Sequence, residues 1–220
     1  MGASNGSLIW RFQTDGEIHS TPAVVNGVVY FGSVDGSVYA LRASDGSLLW
    51  RYQTRGSIVA WPVVMNQVVY IGSGDGDLYA LKASDGSLLW RFQPGNQDFS
   101  TVTIADGTLY VCSGNYMYAL NLNNGNEIRR YDLSGQGITR PEVVNGVIYA
   151  ASWGEVYAVQ ANDSSILWRF ERGGFGASKP LLIDGVIFIG GSTGLYALQA
   201  STGHLLWQFN GPVTSPAVYP

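Results

Sequence analysis

The sequence predicts an all-β protein, a β-propeller of four-stranded antiparallel blades, from a 40-residue repeat, short strand-like segments and frequent glycine turns. The chain has 29 glycines, as expected where many tight turns need positive φ. Its hydrophobic fraction is 46% and its charged fraction only 13%, which argues against disorder. Many short strands separated by turn residues are typical of all-β architectures.

Tryptophans set the period of the repeat. Trp10, Trp50 and Trp90 are 40 residues apart, and Trp168 and Trp207 are 39 apart. The interval of 78 residues between Trp90 and Trp168 contains one further copy, in which Arg129 takes the tryptophan position. Two further aromatic positions keep this register; they are Tyr30, Tyr70, Tyr110, Tyr149 and Phe188, and Tyr39, Tyr79, Tyr118, Tyr157 and Tyr196.

Each repeat contains four strand signals in order. In the first repeat they span residues 20–25, 28–33, 37–42 and 48–53. Asn26-Gly27 separates the first two and is a strong hairpin signal, and aspartate-glycine pairs mark the next two turns. Because the connections are so short, neighbouring strands must pair antiparallel. Four such strands per repeat describe one propeller blade.

We therefore predict a single propeller domain over residues 1–220, with five full repeats and an incomplete extra blade. The outer strand of that extra blade is predicted at 6–13 and its inner strand at 213–219. Either five blades close by themselves or the chain is a piece of a longer propeller, and unpaired edges favour pairing between chains. The full repeats span approximately 20–53, 60–93, 100–131, 139–170 and 178–209.

The recurring aromatic residues are predicted to pack one blade against the next. A four-stranded blade has two apolar faces, which only stacking against its neighbours buries, and a large aromatic side chain buries about 150–250 Å². This packing role explains the aromatic positions without invoking a stacking site for bases or sugars. The predicted docking residues are Trp10, Trp50, Trp90, Arg129, Trp168 and Trp207.

The segment Ala40–Trp50 resembles the docking motif of the PQQ-type (quinoprotein-like) propeller repeat, Ala-x-Asp-x-x-Thr-Gly-Lys-x-x-Trp. The match recurs at Ala80–Trp90, Ala158–Trp168 and Ala197–Trp207, and more weakly at Ala119–Arg129, so the resemblance covers essentially the whole chain. One departure is systematic, because the aspartate of the motif is absent from every copy. Its position holds Arg42, Lys82, Asn121, Gln160 and Gln199.

The resemblance implies one of two broad roles. Quinoprotein dehydrogenases of this family bind the quinone and calcium in an eight-bladed propeller, often with adjacent cysteines, whereas this chain has one cysteine and fewer blades. We therefore expect no cofactor and no enzyme. The non-catalytic branch resembles the propeller lipoprotein of the outer-membrane assembly machinery, and related repeats serve as sensor domains. That branch implies a protein partner and a periplasmic or extracellular location, although this sequence begins without a signal peptide.

Charge and composition exclude several function classes. The net charge is −4 and the pI is about 5.0. The sequence has no basic stripe of the kind that nucleic-acid-binding proteins show, so we expect no nucleic-acid partner. No apolar run approaches the length of a membrane-spanning helix, so we expect no membrane insertion. The only histidines, His19 and His204, are not accompanied by a recognisable catalytic triad. Asp75-Gly76-Asp77 is explained as a tight turn, so no metal site is predicted.

The blade-to-blade loops vary between repeats, whereas the turns at the other end of each blade are nearly constant. Loops on a rigid framework often carry binding residues, and aromatic and arginine side chains are common interface anchors. Sequence drift in unconstrained loops would give the same variability. The candidate binding residues are Glu17, His19, Arg55, Trp61, Asp98, Phe99, Arg140, Trp153, Phe175 and Lys179.

The favoured hypothesis is a non-catalytic protein-interaction scaffold or sensor propeller that uses these loops. A small-ligand or carbohydrate-binding propeller is the alternative, because the same aromatic loops would suit it. A fragment of a quinone-dependent dehydrogenase is the least favoured. Oligomerisation through the half-blade edges is compatible with each of these hypotheses.

Overall fold

The structure, a computed structural model, describes residues 6–94, 102–133, 138–174 and 178–213. Within these ranges it has twenty strands and no helix, and the strands form five four-stranded sheets. Every sheet is antiparallel, and its strands lie side by side in chain order. The predicted fold class, a propeller of four-stranded antiparallel blades, is confirmed. The chain divides into two compact units, Met1–Thr101 and Val102–Pro220.

The first unit contains two blades. Blade 1 consists of β1 (Ala23–Val25), β2 (Val28–Gly32), β3 (Ser37–Arg42) and β4 (Leu48–Gln53). Blade 2 consists of β5 (Val63–Met65), β6 (Val68–Gly72), β7 (Leu78–Lys82) and β8 (Leu88–Phe92).

The second unit contains three blades with the same strand order. Blade 3 consists of β9 (Thr103–Ala105), β10 (Thr108–Ser113), β11 (Tyr116–Asn121) and β12 (Glu127–Asp132). Blade 4 consists of β13 (Glu142–Val144), β14 (Val147–Ala151), β15 (Glu155–Gln160) and β16 (Ile166–Glu171). Blade 5 consists of β17 (Leu181–Ile183), β18 (Val186–Gly191), β19 (Gly194–Gln199) and β20 (Leu205–Asn210).

The first strand of each blade has three residues, half of what the sequence pattern predicts for blade 1. Two residues explain the difference. Pro22 has no backbone N–H to donate to a ladder. Upstream of it, the Ser20 hydroxyl accepts from the Gly32 amide at 2.9 Å and donates to the Gly32 carbonyl at 3.0 Å. A side chain thus replaces the backbone pairing where the strand was expected to begin.

The third and fourth strands of every blade share a register shift opposite a small residue. In blade 1 the shift lies between Ala40 and Leu41, and Ala40 is paired with Trp50. The same alanine faces the tryptophan position in all five sheets, including the pair Ala119–Arg129. An alanine leaves room for the tryptophan ring, so the ring lies across the blade towards the next one.

The apolar core lies between consecutive blades of a unit. Val38 and Trp50 of blade 1 pack with Ile71 and Tyr79 of blade 2 in one buried cluster. In the second unit, blade 3 packs on blade 4 through a cluster that contains Tyr131 and Tyr157. Blade 4 packs on blade 5 through another cluster that includes Val156 and Ile189. This is the blade-to-blade burial expected of a propeller.

Three tryptophans pack on docking turns, as we term the turns between the third and fourth strands of a blade. The docking turns of blades 1, 2, 4 and 5 are Ala43–Gly46, Ala83–Gly86, Ala161–Ser164 and Ala200–Gly203. The indole Nε1 of Trp50 donates to the Ala83 carbonyl at 2.8 Å, and a Cβ on Gly86 would lie 2.6 Å from the indole ring. The glycine at the end of the turn is therefore required by close approach as well as by its φ of +73°. Trp10 and Trp168 make the same contacts with Ala43–Gly46 and Ala200–Gly203.

We call the contact between the outer strand of one blade and the docking turn of the next a joint. The joint between blades 3 and 4 is made by different residues. Arg129 replaces the tryptophan in blade 3, and Ser164 with φ +65° replaces the glycine in the docking turn of blade 4. The missing indole N–H is supplied two residues later, where the Tyr131 hydroxyl donates to the Ala161 carbonyl at 2.7 Å. Burial raises the pKa of Tyr131 to about 12. The two replacements therefore occur together, and a buried tyrosine makes the docking hydrogen bond.

We expect Tyr131→Phe to lower the free energy of unfolding by about 1–2 kcal/mol, because the Ala161 carbonyl loses this donor. Tyr52→Phe is the matched control: Tyr52 is the equivalent residue in blade 1, where Trp50 already supplies the donor. The control should change stability by less than about 0.5 kcal/mol. Urea unfolding of both variants measures the difference, and equal losses would show that the hydroxyl plays no docking role.

Residues 6–13 lie against blade 1 in the place of a preceding outer strand. Trp10 occupies the docking turn, and Phe12 packs edge-on against Tyr39 with ring centroids 5.6 Å apart. Within the described residues, however, this segment pairs with no strand, so it is extended backbone without a ladder. Of the other predicted half-blade strand, 213–219, all but residue 213 lies outside the described residues.

Candidate functional site

The blade-to-blade loops and the turns between second and third strands lie together at one end of each blade; we call this end the loop face. In blade 1 the Val34 amide donates to the Glu17 carbonyl at 2.9 Å. In blade 2 the Gly74 amide donates to the Ser57 carbonyl at 2.8 Å. Within each unit the variable loops are thus hydrogen-bonded to the strand framework.

An aspartate ties loop to turn in each of the first two blades. The Asp75 carboxylate accepts from the Tyr79 hydroxyl at 2.7 Å, from the Arg55 amide at 3.0 Å and from the Asp77 amide at 3.1 Å. Asp35 makes the equivalent bonds with Tyr39, Asp15 and Ser37. The aspartate-glycine turns are therefore anchors for the adjoining loop.

The pKa shifts of this pair agree with its hydrogen bonds. Burial alone would raise the pKa of Asp75, but the hydrogen bonds from Tyr79 and the Arg55 and Asp77 amides outweigh it and lower the pKa. Burial, and then the bond to Asp75, raise the pKa of Tyr79 to about 12. Donors that favour the ionised carboxylate stabilise the folded state wherever that carboxylate is charged.

We expect Asp75→Asn to lower the free energy of unfolding by about 1–2 kcal/mol at neutral pH. Because the folded pKa of Asp75 lies below the ordinary pKa of an aspartate, its contribution is present above that ordinary pKa and is lost as the pH falls through the folded pKa. The variant should therefore lose less stability on acidification than the wild type. Asp184→Asn is the control, since the matching turn position is already Asn26 or Asn145 elsewhere. Urea unfolding at several pH values measures both, and parallel pH profiles would contradict the anchor role.

Arg55 lies over a buried carboxylate that the loop pattern did not indicate. Its guanidinium is 3.0 Å from Asp77, whose side chain is only 4% exposed. The carboxylate also contacts Arg91 at 3.3 Å and accepts from the Gln93 amide at 3.1 Å. Two arginines thus share one buried acid, while the Arg55 side chain remains mostly exposed. The cluster thus places the Arg55 guanidinium on the loop face of blade 2.

The other candidates in the first unit lie on the exposed part of its loops. His19 and Glu17 contact each other on an exposed loop, with Nε2 and Oε2 2.9 Å apart. Trp61 is 48% exposed and lies two residues before β5. Trp61 and Arg55 thus lie on the same blade-to-blade connection, residues 54–62.

In the second unit, three candidates lie on its loops and turns. The Arg140 Nε donates to the Thr103 hydroxyl at 3.1 Å, and burial lowers the pKa of this guanidinium although Glu142 opposes the shift. Lys179 forms an ion pair with Glu142. Trp153 is 50% exposed, in the turn between β14 and β15.

Three candidates, Asp98, Phe99 and Phe175, lie outside the described residues. The charged partners Asp77, Arg91 and Glu142 were missed, because each lies in or beside a strand that the repeat pattern marks as framework. Asp77 could have been noticed as an acid at the position that is Ser37 in the first repeat. Glu142 could have been noticed because it follows Arg140 and Pro141 directly.

The described residues line a small cavity on the loop face. One cavity of about 160 Å³ lies between Val34–Gly36 and Gln53–Ser57, whereas small-molecule sites typically measure about 300–1,000 Å³. Within the described ranges no group of three or more His, Cys, Asp or Glu is placed to hold a metal ion. Those ranges also contain no helix long and apolar enough to cross a membrane.

Comparison with solved structures gives the same fold. BamB from Moraxella catarrhalis superposes with a TM-score of 0.78 at 18% identity, over 93% of this chain and 68% of that one. The computationally designed Ika8 protein superposes with a TM-score of 0.80 at 15% identity, over 91% of this chain and 65% of that one. The chain thus spans about two thirds of the length of each. No curated protein matches the sequence.

The sequence also matches a family model, described as outer membrane protein assembly factor BamB. The matches cover residues 1–61, 55–134 and 101–217, so together they include every blade. With its five PQQ-like repeats, the chain belongs to this family.

Proposed function

We propose that the chain is a non-catalytic protein-interaction scaffold that binds a partner protein through the loop face. The observation that carries the proposal is the exposure of Trp61 and Trp153, at 48% and 50%. Trp50 and Trp90, by contrast, are buried. A tryptophan held half in solvent on a rigid framework is a typical interface anchor, because its burial by a partner releases a large apolar area.

The loops that carry these residues are held in place before any partner arrives. Asp35 and Asp75 bind the loops of the first unit to its strand turns, and the Arg172 amide donates to the Gly154 carbonyl at 2.8 Å beside Trp153. Preorganised loops lose little conformational entropy on binding, which favours affinity. The aspartate anchors thus support the proposed role of the loop face as well as stability.

The charged side chains of the loop face indicate which groups the proposed partner offers. Arg55 and Arg91 converge on the single carboxylate of Asp77, and the Arg55 side chain keeps most of its surface in solvent, where it can bind a further carboxylate. A partner segment that combines a carboxylate with an apolar side chain would pair with Arg55 and cover Trp61. Charge pairs of this kind steer association and fix orientation.

A catalytic role is not part of the proposal. His19 pairs with Glu17 on an exposed loop, and His204 lies beside the docking turn of blade 5, where its carbonyl accepts from the Gln199 amide. The family is named for outer membrane protein assembly, so we further propose that the chain acts on the periplasmic side of that membrane. The proposal does not extend to a sensor role, because none of the residues described above favours one.

Site-specific photo-crosslinking tests the proposal. A crosslinking amino acid at position 61 or 153 should give adducts with a partner protein, and one at position 89 should not, since Leu89 is equally exposed but lies on β8. Excess unlabelled wild-type protein should compete for the adducts. The Arg55→Ala/Trp61→Ala variant should compete at least tenfold less well, given the cost of losing two anchors. Equal adducts at 61 and 89, or equal competition by both proteins, would refute the loop-face interface.

A further inference from the structure

The last outer strand, β20, carries a docking tryptophan that the described residues leave uncovered. Trp207 aligns with Trp10, Trp50 and Trp168, yet it is 47% exposed, and all six residues of β20 are exposed. Phe209 next to it is 61% exposed. In the three joints described above, the same position donates its indole N–H to an alanine carbonyl and covers a glycine. The surface of β20 therefore has the residues that, in the other blades, pack on a docking turn.

The surface that β20 would bind is a docking turn. Among the docking turns described, that of blade 1 is covered by the segment that is most easily displaced. Residues 8–13 read Leu-Ile-Trp-Arg-Phe-Gln, and β20 reads Leu-Leu-Trp-Gln-Phe-Asn, so the two segments offer nearly the same side chains. The segment 8–13 has no ladder within the described residues, and Leu8 is 77% exposed. Trp50 and Trp168 belong to hydrogen-bonded strands and cannot leave their turns so easily.

We infer that β20 is a docking surface for blade 1 of a second copy of this chain. In the joint, Trp207 replaces Trp10 of the second copy on the turn Ala43–Gly46, and Phe209 replaces Phe12 against Phe31 and Tyr39. The contact is head-to-tail, so each copy keeps one free β20 and one exchangeable segment. Repetition of such a contact produces chains or rings of copies. This surface is distinct from the loop face, and the inference goes beyond the scaffold role proposed above.

The inference predicts opposite effects for two tryptophans of the same type. Trp207→Ala removes the docking residue and should weaken self-association roughly 30-fold, the effect of losing a hot-spot side chain. Trp10→Ala removes the internal competitor and should strengthen it. The double variant should associate as weakly as Trp207→Ala alone. The control Leu206→Ala removes an equally exposed apolar side chain from the same strand. The equivalent residues Leu49 and Leu167 stay exposed although their neighbouring tryptophans are docked, so this variant should leave self-association unchanged.

Light scattering over a concentration series measures the mass of each variant, and circular dichroism confirms that each is folded. Strong association of Trp10→Ala that disappears in the double variant supports the inference. Association of the double variant equal to that of Trp10→Ala would overturn it, because non-specific exposure of apolar surface would then be the cause. Wild-type and Trp10→Ala proteins that both stay monomeric at every concentration would overturn it as well.

Discussion

Replacing Trp50 by alanine is expected to lower the free energy of unfolding by about 3–5 kcal/mol, the usual cost of truncating a buried tryptophan. The ring is buried between blades 1 and 2 and covers Gly86, and its N–H satisfies the Ala83 carbonyl. Truncation therefore opens a cavity and removes the shorter of the two hydrogen bonds to the Ala83 carbonyl. Part of that loss will be offset by Tyr30, whose hydroxyl also lies 3.3 Å from the Ala83 carbonyl.

Trp207→Ala is the matched control, because the residue type and strand position are the same and only the covering turn differs. Its loss should be less than about 1 kcal/mol, since the ring is half exposed. Urea unfolding of dilute samples separates stability from self-association. Equal losses at the two positions would mean that the tryptophan position matters for reasons other than docking.

Adding a single methyl group at Gly86 is expected to be the next most damaging change. A Cβ there would lie 2.6 Å from the Trp50 ring, and the residue has φ +73°. Gly86→Ala should therefore cost about 1–2 kcal/mol for the left-handed backbone and a further 1–3 kcal/mol for the clash.

Gly27→Ala separates the two contributions. Gly27 has φ +76° in the same unit, but an added Cβ would meet nothing within 4 Å. Its cost should be the backbone contribution alone, about 1–2 kcal/mol. The difference between the two variants, obtained from urea unfolding, is the clash with Trp50. If both variants lose the same stability, the close approach of ring and turn is not a constraint on the sequence.

The repeat could be predicted well from the sequence because each blade fixes the same residues for the same reason. Tryptophan faces alanine across the third and fourth strands, and a turn glycine receives the ring, so the period is readable from residue types alone. The first strands were predicted too long. The signal was Pro22, but the replacement of backbone pairing by the Ser20 hydroxyl depends on a three-dimensional contact with Gly32.

The candidate site was less predictable, since loops do not repeat and their partners lie elsewhere in the chain. Exposure of Trp61 and Trp153 followed from their places in variable segments. The burial of Asp77 under two arginines did not, because the acid belongs to the turn before β7 and Arg91 to β8. Charge clusters assembled from two strands and a loop have no signature in local sequence.

The joint between blades 3 and 4 also bears on how the repeats find their order. Nearly identical repeats can pair with the wrong neighbour during folding, a common failure of tandem arrays. A strand bearing tryptophan fits any docking turn that ends in glycine, but Ser164 carries a Cβ where the indole would lie. Blade 4 therefore accepts only a partner that reaches Ala161 as Tyr131 does. This single distinct contact fixes blade 3 next to blade 4, and the positions of the other blades follow from their connections to these two.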